Sequence, residues 1–183
     1  IRSMAALGRG FGLPALGGTA ALRGRLSGTW QAPRFQGHLS WQEPHVAMYA
    51  ADQIEGDVEW LPRTLRSPRL VARIGQTVAT VQGSVVAQGL APLRTLDLKR
   101  DLMLDLTVQV SPGRTVDLAP FLPAQLPVRG AFRAGGRITG VPQEPTGEVE
   151  VAFTNFQTWD EQWQRGTALL RLTPGAIDIS RLS

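Results

Sequence analysis

The chain has 183 residues, of which 43% are hydrophobic and 19% are charged, with a formal net charge of +4. This composition excludes intrinsic disorder, and the absence of cysteine excludes disulfides and thiolate metal sites. The charge does not indicate a nucleic-acid partner, because arginines and acidic residues are interleaved along the chain and no basic cluster forms.

Residues 1–18 are predicted to form a flexible or briefly helical lead-in, because an arginine, a proline and repeated glycines interrupt its apolar residues. The chain contains no run of 18 apolar residues, so the sequence predicts no membrane-spanning helix. It opens at Ile1 without an initiator methionine. We therefore expect residues 1–183 to be a single domain and a fragment of a longer repeat protein.

Apolar and polar residues alternate with period two along most of the remaining chain, which is typical of half-buried β-strands. The clearest run is DLMLDLTVQV, residues 101–110, and shorter runs occur at 35–41, 46–48, 58–60, 70–74, 77–86, 128–132, 149–153, 168–172 and 177–179. Helical periodicity is confined to the proline-limited segment 117–122, where Asp117 is a candidate cap for one or two turns. The pattern predicts an all-β meander of ten to twelve short strands.

Two distant segments repeat one phrase: RLSGTWQAPRFQGHLSW, residues 25–41, and RITGVPQEPTGEVEV, residues 137–151. Glycines keep their order in both copies after a two-residue deletion: Gly28, Gly37 and Gly56 correspond to Gly140, Gly147 and Gly166. We predict repeated units at about 22–60 and 132–172, each a strand, a proline-containing turn and a strand that bends at glycine. The alternative is that these are ordinary hairpin glycines of a closed sandwich.

Residue types that carry chemistry do not form a recognisable site. The two histidines, His38 and His45, lack a nucleophile or third metal ligand at suitable spacing, and the paired carboxylates Asp101/Asp105 and Glu148/Glu150 have the even spacing of a solvated strand face. We predict no catalytic residue, no metal and no cofactor. The five tryptophans fit either an ordinary core or the rims of an apolar surface.

The repeated pattern, [Leu/Ile]-[Ser/Thr]-Gly followed by a short turn with proline and Gly-x-[Leu/Val], resembles the repeating units of the TamB family within the AsmA-like superfamily. The resemblance covers most of residues 18–183 and is strongest over 116–151, whereas residues 61–100 do not fit a unit. It implies a long protein anchored in the inner membrane that crosses the periplasm as a β-taco with an apolar concave face. It also implies phospholipid acyl chains or nascent β-barrel proteins as cargo, an outer-membrane partner of the TamA type, and no catalytic residues.

We therefore predict a curved antiparallel sheet whose apolar face is left open as a groove. The predicted lining is Leu39, Trp41, Val58, Trp60, Leu102, Leu104, Leu106, Val108, Val110, Phe132, Val149, Val151, Phe153, Leu170 and Leu172. The expected function is non-enzymatic: phospholipid transport between the two membranes and outer-membrane biogenesis. The alternatives are a chaperone that binds β-barrel proteins by strand addition, and a structural β-sandwich with a filled interior.

Overall fold

The structure, a computed structural model, describes residues 16–46, 49–88, 100–121, 128–158 and 161–183. These residues form eleven strands: β1 (Leu16–Thr29), β2 (Ala32–Val46), β3 (Tyr49–Ala50), β4 (Gln53–Leu61), β5 (Thr64–Ile74), β6 (Thr77–Ala87), β7 (Leu102–Arg114), β8 (Val128–Val141), β9 (Glu144–Thr158), β10 (Glu161–Thr173) and β11 (Ala176–Leu182). A 3₁₀ helix, Thr115–Phe121, is the one helix among them. The all-β prediction is confirmed.

Two details of the predicted elements differ. The strands are not uniformly short, since β2 and β9 each contain 15 residues. Residues 1–15 of the predicted lead-in, and 89–99 of the segment that fitted no repeat unit, lie outside the described residues. The end of the lead-in already belongs to β1, which begins at Leu16.

All strands belong to one antiparallel sheet in the order β1-β2-β4-β5-β6-β7-β8-β9-β10-β11, with β3 paired to β2 at the side of this path. Apart from the two-residue β3, each strand of the path lies beside the next one in the sequence, as a meander requires. The path does not close: among the described residues β1 pairs only with β2, and β11 only with β10. This open sheet is consistent with the predicted curved groove and excludes a closed barrel for the described part.

The register places one set of apolar residues on a single face, because directly opposed residues of antiparallel strands point the same way. One cross-strand line runs through all ten strands of the path, and we name it the apolar row. It consists of Leu22, Leu39, Gly56, Leu70, Val81, Val108, Gly136, Val149, Leu170 and Ile179. The surface that carries this row is called the apolar face.

The adjacent line of residues defines the opposite, polar face, and we name it the charged row. It consists of Arg23, His38, Asp57, Arg69, Gln82, Thr107, Arg137, Glu148, Arg171 and Asp178. The charged row crosses from Arg69 on β5 to Gln82 on β6 at the bulge of β5, where the register shifts between Ser67 and Leu70. Strand periodicity thus places apolar and polar side chains on opposite faces of the sheet.

Two prolines lie where the ladder of backbone hydrogen bonds is already interrupted. Pro68 lies in the β5 bulge, and Pro112 lies in a bulge of β7 between Val110 and Gly113. In the first bulge the Ser67 hydroxyl donates to the Asp57 carbonyl at 2.6 Å and accepts from the Arg69 amide at 3.2 Å. These bulges keep the apolar residues of β5 and β7 on one face despite prolines that cannot donate to the ladder.

The two repeated segments form hairpins with the same turn. In β1–β2 the turn residues are Trp30 and Gln31, and in β8–β9 they are 142 and 143. Gly28 pairs with Pro33, and Gly140 pairs with Pro145. Pro33 and Pro145 therefore lie at the start of the second strand, but Pro142 is itself a turn residue of β8–β9. The predicted proline-containing turn is found in β8–β9 and not in β1–β2. Gly28 and Gly140 have φ values of 88° and 96°, a conformation that favours glycine.

The 3₁₀ helix is fixed to the β5–β6 turn by Asp117. This residue lies inside the helix, and its carboxylate accepts hydrogen bonds from the Gln76 amide at 3.0 Å and the Thr77 hydroxyl at 2.8 Å. Thr77 is buried, and its hydroxyl also accepts from the Arg114 amide at 2.9 Å. Asp117 thus links two loops at the same end of the sheet, instead of capping the helix as the sequence suggested.

Candidate functional site

The apolar face contains all fifteen residues of the predicted lining. Those of the central strands are consecutive in-register neighbours: Val110, Val108, Leu106, Leu104 and Leu102 lie opposite Ala79, Val81, Gly83, Val85 and Ala87. On the far side, Val149 and Val151 pair with Leu170 and Ala168. The structure therefore brings the predicted residues together on one continuous surface, and their role as a cargo-binding lining remains a prediction.

These side chains are not sealed by a second layer of the described chain. Among the described residues, Ala20, Val58 and Ala87 are the only buried hydrophobic ones, and none of the large side chains described is fully buried. Of the fifteen lining residues, Val58 is buried, Trp60 is exposed, and the remainder are half-buried. Because a sheet shields its side chains only laterally, the outer surface of every one of them except Val58 stays available for contact.

Phenylalanine rings cover glycines of neighbouring strands on this face. Phe153 pairs with Gly166, Phe132 pairs with Gly113, and a Cβ atom added at either glycine would collide with the ring. At Gly37 an added Cβ would collide with Phe35 and with the Arg23 carbonyl. Glycine therefore allows the rings to lie flat across the strands, which fills gaps that the missing side chains would leave.

The predicted bend glycines do not occupy equivalent registers in the two segments. Gly56 pairs with Leu39, two residues beyond Gly37 on β2, whereas Gly166 pairs with Phe153, six residues beyond Gly147 on β9. Gly37 pairs with Gly24, while Gly147 pairs with Ile138. The sequence offset is thus conserved between the segments, but the position in the sheet is not.

The tryptophans contribute to the surface and not to a core. Trp30 is 98% exposed at the tip of the β1–β2 hairpin. The Trp41 indole nitrogen donates to the Gly17 carbonyl at 2.9 Å. Trp163 lies 5.9 Å from Phe156, whose ring is 5.0 Å from Phe153, so an aromatic cluster extends from the apolar face. Trp159 lies outside the described residues. For the described tryptophans, the rim interpretation fits better than the core interpretation.

The polar face is joined by ion pairs between neighbouring strands. Arg137 donates to both carboxylate oxygens of Asp105 at 2.8 and 2.9 Å, and Arg171 donates to Glu148 at 2.7 Å. The hydrogen bond from Arg137, partly opposed by desolvation, holds the pKa of Asp105 below its ordinary value, and the pKa of Arg137 is raised in turn. These pairs are exposed, and they orient strands without creating a reactive carboxylate.

A groove of about 780 Å³ lies over the middle of the polar face. Its lining includes Asp57, Glu59, Arg66, Asp105 and Arg137. The charges of these residues are mixed, so the groove offers no preference for one sign of ligand. It shares Val58 with the predicted apolar lining, but the charged residues that line it belong to the polar face.

Residue types able to bind a metal ion do not cluster in the described residues, which contain no group of three or more His, Cys, Asp or Glu side chains able to hold one. His38 Nδ1 lies 3.0 Å from Asp57 Oδ1, but both side chains are more than half exposed and stand on the open polar face. Within the same residues, no helix has the length and apolarity needed to cross a membrane.

Five exposed apolar residues of this surface were not in the predicted lining. Leu65 belongs to the interior strand β5 and pairs with Trp60, whereas the other four lie on the outermost strands of the described sheet: Leu22 and Leu26 on β1, and Ile177 and Ile179 on β11. The signal for them was present, because each pair has the even spacing of one strand face. What the sequence did not contain was the identity of the edge strands.

The described chain is therefore an open, single-sheet β protein with one apolar and one charged face. In comparisons with known proteins, it matches no protein-family model, no curated protein and no solved structure. Function has to be argued from the surface itself.

Proposed function

We propose that the chain is a non-enzymatic domain whose apolar face binds the acyl chains of phospholipids. One observation carries the proposal: ten paired strands present a continuous apolar surface with no covering layer among the described residues. An exposed apolar surface of this extent is rare on soluble monomers unless it meets a partner or a lipid.

The dimensions of the surface suit a lipid tail. The apolar row crosses nine spacings between neighbouring strands, or about 43 Å, while the tails of one bilayer leaflet occupy roughly 15 Å. Each methylene that leaves water contributes about 0.8 kcal/mol, so a tail lying along part of this row gains several kcal/mol. The half-buried aliphatic side chains provide this contact without any polar group that would require a specific head group.

The wider setting follows from the resemblance to TamB-like repeats. We propose a periplasmic location, a parent protein anchored in the inner membrane, and a role in moving phospholipid toward the outer membrane, with an outer-membrane partner of the TamA type. The repeated hairpins and the open sheet support this setting, since a groove assembled from successive strands can be extended along the chain.

Photo-crosslinking from single positions tests the proposal. A photoreactive amino acid at Leu106 or Val151 should label a diacyl phospholipid, whereas the same group at Gln109 or Glu150 should not. Each control lies on the same strand as its test position and on the opposite face. Equal labelling of the two faces, or no labelling from the apolar face, would contradict the proposal.

A second candidate function is the chaperoning of β-barrel proteins by strand addition, and the unpaired edges of β1 and β11 favour it. A Leu22→Pro substitution removes a backbone donor from the β1 edge. Under this candidate it should abolish capture of an unfolded outer-membrane barrel protein and leave lipid labelling at Leu106 intact. Unchanged capture would exclude β1 as the docking edge.

A further inference from the structure

Two neighbouring cavities lie at the end of the sheet where β7 enters the 3₁₀ helix. The first, which we name the arginine cavity, has a volume of about 490 Å³, and its lining includes Arg114, Thr115, Arg129 and Asn155. The second, named the amide cavity, has a volume of about 550 Å³ and is lined by Thr154, Asn155, Gln162, Gln164 and Arg165. The cavities are adjacent, because Asn155 belongs to both linings.

Strand pairing places the arginines of both cavities on the polar face. Arg165 precedes Arg171 of the charged row by six residues of β10, an even spacing within an unshifted register. Arg165 pairs with Thr154, which pairs with Ala131 on β8. Ala131 in turn pairs with Arg114. This line crosses three spacings between strands, or about 14 Å, with an arginine at each end.

A bulge shapes the place where the cavities meet. Asn155 and Gln164 interrupt the ladder between β9 and β10, whose pairs resume on either side of them. The register between β8 and β9 shifts at the same place, between Arg129 and Ala131. Asn155 has a φ of 49°, in the left-handed region that asparagine enters more readily than most residues. Because a bulge redirects side chains from strict alternation, Asn155 and Gln164 both reach the amide cavity.

The arginines of these cavities differ from those at the middle of the polar face, which are bound to carboxylates of neighbouring strands. The side chains of Arg129 and Arg165 are exposed and make no hydrogen bond or ion pair with another described residue. Arg114 donates to the Gln76 side-chain oxygen at 2.7 Å, which leaves most of its donors free. Asp117, the acidic residue nearest to Arg114 in the chain, lines neither cavity and accepts hydrogen bonds from the β5–β6 turn. The described lining therefore contains three arginines and no carboxylate, which suits an anionic ligand.

The donor types indicate which anion fits. A guanidinium binds phosphate through paired hydrogen bonds, and Arg114 and Arg129 belong to neighbouring strands within one cavity. Two arginines match a phosphate better than a carboxylate, because one bidentate guanidinium already satisfies a carboxylate. The amide cavity presents groups that can both donate and accept, as the hydroxyls of a sugar require: Thr154, Asn155, Gln162 and Gln164.

We propose that this end of the polar face binds a phosphorylated sugar, with the phosphate in the arginine cavity and the sugar ring in the amide cavity. A phosphate next to a polyhydroxylated ring occurs both in soluble sugar phosphates and in the head groups of inositol lipids. The proposal does not rest on lipid binding by the apolar face, because it uses residues of the opposite face.

Isothermal titration calorimetry of the 183-residue chain tests the site with glucose 6-phosphate, inorganic phosphate and glucose. Glucose 6-phosphate should bind more tightly than inorganic phosphate, and glucose should give no measurable binding, because only the sugar phosphate engages both cavities. Added salt should weaken binding, since the arginines are exposed. Equal affinities for glucose 6-phosphate and inorganic phosphate would overturn the proposal.

Substitutions test the two cavities separately. Arg129→Gln should lower the affinity for glucose 6-phosphate about tenfold, as expected for the loss of a charge-assisted hydrogen bond. Joint replacement of Gln162 and Gln164 by alanine should weaken binding of the sugar phosphate and leave binding of inorganic phosphate unchanged. The control is Arg69→Gln, an equal change on the charged row outside both cavities, which should bind like the natural chain. Circular dichroism verifies folding, and an unchanged affinity of folded Arg129→Gln would refute the site.

Vesicle binding separates the two sources of the ligand. A lipid-linked ligand predicts that the chain prefers phosphatidylcholine vesicles containing phosphatidylinositol over vesicles of phosphatidylcholine alone, and that Arg129→Gln removes this preference. Binding of glucose 6-phosphate without such a preference assigns the site to soluble sugar phosphates. Binding to both kinds of vesicle that Arg129→Gln leaves unchanged reports the apolar face alone. The proposal is overturned if glucose 6-phosphate does not bind and no Arg129-dependent preference is seen.

Discussion

The hairpins β1–β2 and β8–β9 have related sequences and the same two-residue turn, yet their first strands differ in burial. Every residue of β1 from 21 to 29 is exposed. β8 instead alternates between half-buried and exposed positions up to Ala134 and is half-buried beyond it except at Arg137, with half-buried Ile138 at the place of Leu26. β8 has a neighbour on both sides, and β1 has one. In a single-layer sheet, burial of an apolar side chain is therefore a property of lateral position.

This comparison predicts different costs for equivalent truncations. Ile138→Ala should lower the free energy of unfolding by roughly 1–2 kcal/mol, below the cost at a fully buried site, because Ile138 is half-buried between β7 and β9. Leu26→Ala should change it by less than about 0.5 kcal/mol, since Leu26 is 65% exposed. Urea denaturation measures both, and equal losses would show that edge and interior do not differ as described.

At the turn glycines, the substitution on the edge strand should cost at least as much unfolding free energy as the one on the interior strand. Gly28→Ala and Gly140→Ala each force alanine into a positive-φ conformation, which costs about 1 kcal/mol. At Gly28 the added Cβ also collides with the Ala32 carbonyl, while at Gly140 the nearest atom, the Glu144 carbonyl oxygen, is 3.1 Å away. The edge variant should thus be at least as destabilised as the interior one in the same denaturation experiment.

The smallest effect is expected on the polar face. The depressed pKa of Asp105 means that its ion pair with Arg137 stabilises the folded state at pH values above the ordinary aspartate pKa, and that this stabilisation is lost as pH falls through the lowered value. Asp105→Asn should therefore make the free energy of unfolding fall less steeply as the pH is lowered. The control is Glu150→Gln, which removes a carboxylate that has no such hydrogen bond from arginine. An identical acid limb for Asp105→Asn and the natural chain would show that the exposed pair contributes nothing.

Much of the fold was available from alternation alone. The run from Leu102 to Val110 is a strand with its aliphatic residues on one face, as predicted, and the class and number of strands follow from such runs. The turns were predicted less completely: Pro142 does lie in the β8–β9 turn, but Pro33 and Pro145 belong to paired strands. Proline is compatible with either position when its nitrogen faces away from a ladder bond, so composition did not distinguish the two.

The candidate surface was predicted in part. All predicted lining positions share a face because side chains alternate with period two, which is a local property of the backbone. Leu70 and Val81, in the middle of the apolar row, were not in the predicted lining although they follow the same pattern. Leu22 and Ile179 were also missed, and only the strand order shows that they end the row in the described sheet.

The sequence by itself determined which side chains are apolar and which are polar. It also determined that they alternate along strands, because this information lies within a few neighbouring residues. The tertiary structure alone decided the register, the bulges that absorb Pro68 and Pro112, and the fact that the described sheet stays open with β1 and β11 at its edges. These features depend on contacts between residues far apart in the chain. Their free energies come from pairing between several strands, so no single strand's sequence specifies them.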